Sequence, residues 1–146
     1  MDDEDYQKLL DIVTNEEENT ILHTSMKDIN QRKENLINEL KLPKKEGNDI
    51  LKKLKHYRYT MELPDLEIGA YVRWINLNHS ENVYLTNGSF ICDILITEDG
   101  IQIRCKNRFG QFHLLKFDEH LIFQKLSEQE CILLQLMECV KNKKIT

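Results

Sequence analysis

From Pro64 to Leu126, short apolar runs alternate with tight-turn signals, and this spacing constrains the fold more than any other feature of the chain. The turn signals are Asn87-Gly88, Asp99-Gly100 and Asn107-Arg108-Phe109-Gly110. Asn, Asp and Gly tolerate positive φ, as the type I′ turn of a tight hairpin requires. Strand-length pieces fall at Tyr71 to Asn76, Phe90 to Thr97, Ile101 to Lys106, Phe112 to Phe117 and Leu121 to Lys125. Their number and spacing predict a small antiparallel barrel of about five strands. In the first strand Tyr71, Arg73 and Ile75 share one side, while Val72, Trp74 and Asn76 share the other. Trp74, with its large apolar area, is the first candidate for the core.

The flanks read as helices. From Met1 to Leu42 the chain carries eleven acidic side chains against five basic ones. Tyr6, Leu9, Leu10 and Val13 fall on one helical face, and Thr14 with Glu17 fits a capping box that opens a longer helix. Along that helix Leu22, Met26, Ile29, Leu36 and Leu40 form a heptad seam with Lys33 inside it. The seam suits packing on the chain's own barrel, or pairing with a partner helix or a second copy. Leu42-Pro43 ends the helix, because the residue before proline is pushed out of the α region. Gly47-Asn48-Asp49 then offers a cap for a short helix with Ile50, Leu51, Leu54 and Tyr57 at helical spacing. Its polar side is basic, with Lys44, Lys45, Lys52, Lys53, Lys55 and Arg58, an anion-facing patch in prospect. Ser127-Glu128-Gln129-Glu130 is a capping box for a last helix, Glu128 to Val140. Its run from Cys131 to Met137 is apolar on most sides and calls for burial.

Bulk properties exclude several classes. At 146 residues with 40% hydrophobic and 31% charged side chains, the chain is long enough for a modest core and is not disordered in composition. A net charge of −5 speaks against broad, non-specific nucleic-acid binding. No apolar run reaches membrane-spanning length. The acidic start, Met1-Asp2-Asp3-Glu4-Asp5, is unlike a signal peptide, so an intracellular, cytoplasmic site is expected. Cys92, Cys105, Cys131 and Cys139 form no Cys-x-x-Cys pair and read as buried thiols rather than disulfides. Asn78-His79-Ser80 and Asn87-Gly88-Ser89 match the glycosylation triplet but read as turns in that setting. Ala70 is the sole alanine, a bias that points to an origin in a G+C-poor genome.

No phosphate-cradling loop, nucleophile elbow or zinc spacing occurs, so no cofactor, metal or catalytic residue is expected. Cys105, His113 and His120 match no common zinc pattern. Asp118-Glu119-His120 reads as a turn between two strands. Binding chemistry is better represented. Tyr71, Trp74, Tyr84, Phe90, Phe109 and Phe112 interleave with Arg73, Arg104, Lys106 and Arg108, a pattern that stacks bases and holds phosphates. The same pattern also arises when aromatics fill a core and arginines point outward. The turn from Lys106 to Gly110 is the best exposed contact candidate.

The string Leu66 to Leu77, followed by Leu85 to Phe90, resembles the first hairpin of Tudor-like small barrels. The region from Leu63 to Val140 also resembles uncharacterised small-barrel proteins of large nucleocytoplasmic DNA viruses. That resemblance implies synthesis in host cytoplasm and a structural or packaging role, some members being virion components. Reading of methylated side chains in an aromatic cage is not carried over, because no cage can be placed on these residues.

Together these readings predict an α+β protein: an N-terminal helical arm (1–60), a small antiparallel β-barrel (61–126) and a packed C-terminal helix with its tail (127–146). The expected function is non-enzymatic, a structural or assembly protein, as a virion component would be. Its protein partner or second copy would meet the seam of Leu22, Met26, Ile29, Leu36 and Leu40, and also the C-terminal helix. The alternative is a nucleic-acid-binding accessory factor using Lys52, Lys53, Lys55, Arg58, Arg73, Arg104, Lys106 and Arg108.

Overall fold

A computed structural model describes residues 25–78 and 81–145. The expected first helix from Tyr6 to Val13, the Thr14–Glu17 capping box and the seam residue Leu22 lie outside these, as do His79 and Ser80. The helices are α1 (Met26–Glu39), α2 (Lys44–Lys53) and α3 (Glu128–Ile145). The strands are β1 (Tyr57–Tyr59), β2 (Tyr71–Asn76), β3 (Ser89–Thr97), β4 (Gly100–Lys106), β5 (Phe112–Lys116) and β6 (His120–Lys125). The described chain divides into two compact units, one of Arg32–Leu126 and one that takes residues 25–31 and 127–145, so α1 crosses the division.

The larger unit is built on one antiparallel sheet of six strands in the order β1-β6-β2-β3-β4-β5. The barrel predicted from the sequence does not form, because β1 and β5 are the open ends of this sheet. β6 takes the free side of β2, and β1 takes the far side of β6. Closure would therefore require β5 to pair with a strand of three residues, too short to carry a barrel seam.

The open sheet is nonetheless curled. The β3–β4 register shifts between Ile91 and Asp93, and a bulge there bends the strand and increases its twist. Trp74 on β2 and His113 on β5 consequently meet with ring centroids 5.7 Å apart, although β3 and β4 separate their strands in the ladder. The concave face holds one core of Leu66, Val72, Trp74, Ile91, Ile103, Cys105, Leu115 and Ile122. Arg58 is buried at its margin, with an amino group donating to the Asp65 carbonyl at 3.1 Å and another 3.9 Å from the Asp65 carboxylate. Gln124 also donates to the Asp65 carbonyl, at 3.1 Å, and accepts the Glu67 N–H at 2.9 Å. These bonds tie the segment before β2 across the sheet.

On the convex face, Ile75, Leu121, Phe123 and Tyr57 pack against Ile37 of α1, Ile50 of α2 and Leu54 just after it, with Tyr71 at the border of the cluster. α2 begins at Lys44, directly after Pro43, and not at the expected Gly47-Asn48-Asp49 cap. Gly47 lies inside the helix, where the two helices meet and a Cβ would stand 3.4 Å from the Ile37 side chain, an ordinary contact. Lys33, only 3% exposed, donates from Nζ to the Leu54 carbonyl at 2.7 Å. A lysine in an apolar seam is thus accounted for by the carbonyls left open at the end of α2. Burial holds its pKa below the usual lysine value.

In the smaller unit, Ser127 and Glu130 form the expected capping box. Each backbone N–H donates to the other's side chain at 3.0 Å. α3 then runs beyond the expected Val140 to Ile145, with Leu133 and Leu134 buried and Ile132 exposed.

Candidate functional site

The hairpin register decides which side chains of β3, β4 and β5 share the convex face. Phe90, Lys106 and Phe112 stand in one cross-strand row, and Asp93, Arg104 and Leu114 in the next. Leu95, Gln102 and Lys116 complete a third. The helix layer described above covers the β1-β6-β2 half of this face and reaches Tyr71. Tyr71 meets Phe90 edge-on at 5.0 Å, and beyond that contact the face is open: Phe90 is 46% exposed, Phe112 62% and Leu114 56%.

The loop between β4 and β5 adds a third ring. The type I′ turns expected from the Asn-Gly and Asp-Gly pairs do not form, since Gly88 and Gly100 take positive φ while Asn87 and Asp99 do not. In the β4–β5 loop Gly110 takes positive φ. The Asn107 side chain instead accepts the N–H groups of Phe109 at 3.0 Å and Gln111 at 2.9 Å. Gly110 donates to the Asn107 carbonyl at 3.0 Å. This is a turn closed by a left-handed glycine, fixed by bonds on both sides of Phe109, which is 75% exposed at its tip.

Two of the three rings, Phe112 and Phe109, carry cations. Lys106 Nζ lies 5.4 Å from the Phe112 centroid and the Arg104 guanidinium 6.0 Å from it. The Arg108 guanidinium is 4.8 Å from the Phe109 centroid. Contacts of this kind at exposed sites are worth about 0.5–1 kcal/mol. That offsets only part of the roughly 1.5–3 kcal/mol forgone by leaving a large apolar side chain in water. An open patch of three phenylalanines and a leucine is therefore a feature that folding does not account for. One acidic group belongs to it, Asp93, with an oxygen 3.5 Å from Arg104.

The eight cations named from the sequence divide into three sets. Arg104, Lys106 and Arg108 meet on the open face and its hairpin. Lys52, Lys53 and Lys55 are exposed on and just after α2. Arg58 is engaged with Asp65, and Arg73 donates from Nε to the Thr86 carbonyl at 2.8 Å. Arg73 also bonds the Tyr57 hydroxyl, whose pKa burial raises, so both arginines serve the fold. Of the seam residues, Met26 is half-buried and Ile29 buried, while Leu36 and Leu40 pack against the convex-face core. Trp74 is buried, as its size suggested. Cys105 and His113 are register partners on β4 and β5. Burial, then the nearby Cys92, pushes the Cys105 thiol up to about 12. Leu114 and Lys116 complete the open face and were not singled out in the sequence. The signal was available, since the span from Lys106 to Phe112 sets every register partner of β5.

Geometry thus defines a class: a helix-backed open antiparallel sheet with a cation-bearing aromatic face. No family model, curated protein or solved structure matches the chain. Among the described residues no helix is long and apolar enough to cross a membrane.

Proposed function

We propose that this chain is a non-catalytic binding protein whose open β3–β5 face holds a single-stranded nucleic acid. The observation that carries the proposal is the pairing of exposed rings with cations: Phe112 with Lys106 and Arg104, and Phe109 with Arg108. A base stacks on a ring face while its phosphate meets the adjacent cation, so both halves of a nucleotide are recognised at one place. Bases are free to do this in a single strand, whereas in a duplex they stack on one another. The overall charge of −5 disfavours extended duplex binding and confines attraction to this face. Leu36 and Leu40 are taken up by the chain's own core, so the proposal does not run through the helix seam.

Fluorescence anisotropy of the full chain with a labelled single-stranded 12-mer, and with the matching duplex, tests the proposal. Tight single-strand binding is expected, with log K falling against log salt at a slope of about −2 for three cations. Phe109→Ala and Phe112→Ala should each weaken binding by about 5- to 150-fold, while replacing Lys52, Lys53 and Lys55 with glutamine should change it little. Binding that tolerates both phenylalanine changes, or equal affinity for the duplex, would overturn the assignment.

A further inference from the structure

The two ends of the sheet differ. β1 is three residues long, and its Tyr57 and Arg58 are buried. β5 is five residues, Phe112-His113-Leu114-Leu115-Lys116, and only Leu115 among them is buried. It has no proline and no bulge, two of the usual protections of an edge strand, and its one lysine, Lys116, stands at its last residue. The Asn107 N–H donates to the Gln111 carbonyl at 2.9 Å, which sets the phase of the β4–β5 ladder. Hydrogen-bonded pairs alternate along an antiparallel ladder. Cys105–His113 and Ile103–Leu115 are therefore the bonded pairs, and the peptide groups of Phe112, Leu114 and Lys116 point away from β4. The Lys116 carbonyl is met by His120 Nδ1 at 2.8 Å. The Phe112 and Leu114 peptide groups face outward along the open edge.

We propose that β5 pairs antiparallel with β5 of a second copy of this chain, about a two-fold axis at Leu114. That is the one register that pairs all five residues of the strand. It sets Leu114 against Leu114 and Phe112 against Lys116 of the second copy, so no charge faces its like and each lysine lies across from a ring. Leu114 would exchange two main-chain bonds with its counterpart. Each Lys116 N–H would donate to the opposite Phe112 carbonyl, leaving the His120 contact in place. The two convex faces would then join as one surface, with the Phe112–Lys106 rows flanking the axis. The dimer is inferred from the edge alone and stands whether or not nucleic acid binds.

Sedimentation of the full chain over ~1–300 μM without nucleic acid tests it, together with hydrogen exchange of the Leu114 amide at both ends of that range. A dimer is expected, with Leu114 exchange slowing as concentration rises. Leu114→Pro removes the N–H that points away from β4, and Leu114→Lys places like charges at the axis. Each should weaken association about tenfold or more with unchanged circular dichroism, the lysine variant deciding the matter if the proline variant misfolds. A monomer throughout, or a dimer whose Leu114 exchange and affinity ignore both concentration and Leu114→Lys, would overturn the proposal.

Discussion

Replacing Gly88 with alanine should destabilise the fold by about 2–6 kcal/mol, from two separable costs. Gly88 sits at φ +103°, where a side chain strains the backbone by about 1–3 kcal/mol. Its Cβ would also stand 2.6 Å from the Val72 carbonyl oxygen and 2.8 and 2.9 Å from Tyr71 ring atoms. The ring cannot swing away freely, because its hydroxyl donates to the Asn87 carbonyl at 2.6 Å and the ring packs edge-on with Phe90. The carbonyl belongs to a fully buried residue of β2. Relief therefore means parting β2 from β3, which are joined by just two register pairs, Tyr71–Phe90 and Val72–Ser89. Such overpacking adds about 1–3 kcal/mol. Gly100→Ala provides the control, since Gly100 has φ +115° and nothing within 4 Å of its Cβ. In urea titrations with a slope of about 1–3 kcal/mol per molar, the Gly88→Ala midpoint should fall ~1 M below that of Gly100→Ala. Equal midpoints would refute the clash argument. Full rescue of Gly88→Ala by Tyr71→Ala would refute the part assigned to the Val72 carbonyl.

Arg58 and Arg108 should separate stability from binding. Arg58→Ala removes a buried side chain and its bond to the Asp65 carbonyl and should cost about 1–3 kcal/mol in urea unfolding; Arg108→Ala should leave stability within ~0.5 kcal/mol while weakening single-strand binding. The opposite pattern would show that the cations are assigned to the wrong roles. Cys105 gives a pH signature. The folded state retains a thiol proton that the unfolded chain releases above pH 9.0, so stability is complete below that pH and declines as it rises toward about 12. The full loss is about 4 kcal/mol. Tyr57 and Tyr59, both raised by burial, act in the same sense above their usual pKa. The loss specific to Cys105 is therefore the difference in alkaline slope between the native chain and Cys105→Ala, and identical slopes would refute it.

Local chemistry made the strands legible. Observed bounds of β2 to β6 lie within a residue of those read from alternation and turn residues, because each hairpin is set by groups adjacent in the chain. The Ser127–Glu130 capping box was legible for the same reason. β1 was not, since three residues carry no period and Tyr57 also continues the helical spacing of Ile50, Leu51 and Leu54. The open topology was not legible either. It depends on β6 inserting between β1 and β2, a long-range choice that no local pattern records. The candidate site was half legible: its rings and cations were named, but Arg58 and Arg73 were grouped with them because charge alone does not show which arginines bond to carbonyls.

The open half of the convex face follows from the length of the helical layer. α1 and α2 supply apolar side chains for the sheet as far as Tyr71, and their chain then turns into β1. An antiparallel sheet left in water past that boundary ordinarily alternates apolar inward and polar outward. β4 obeys this rule on its outer side, with Gln102, Arg104 and Lys106. Its neighbours break it on either side, with Phe90 on β3 and Phe112 and Leu114 on β5. Exposed rings flanking a polar strand make neither a core that lost its cover nor a solvated surface. The polar strand places a cation between rings along a line crossing the strands, the arrangement a chain of alternating bases and phosphates would meet. The same line ends at the open edge of β5, so ligand binding and pairing with a second copy would draw on one set of residues. Phe112 is the side chain at which the two can be told apart: Phe112→Ala removes a stacking surface and also the ring facing Lys116 across the axis. Phe109→Ala removes a stacking surface alone. Nucleic-acid affinity lost in both variants, with dimer affinity lost only in the first, is the outcome that this arrangement requires.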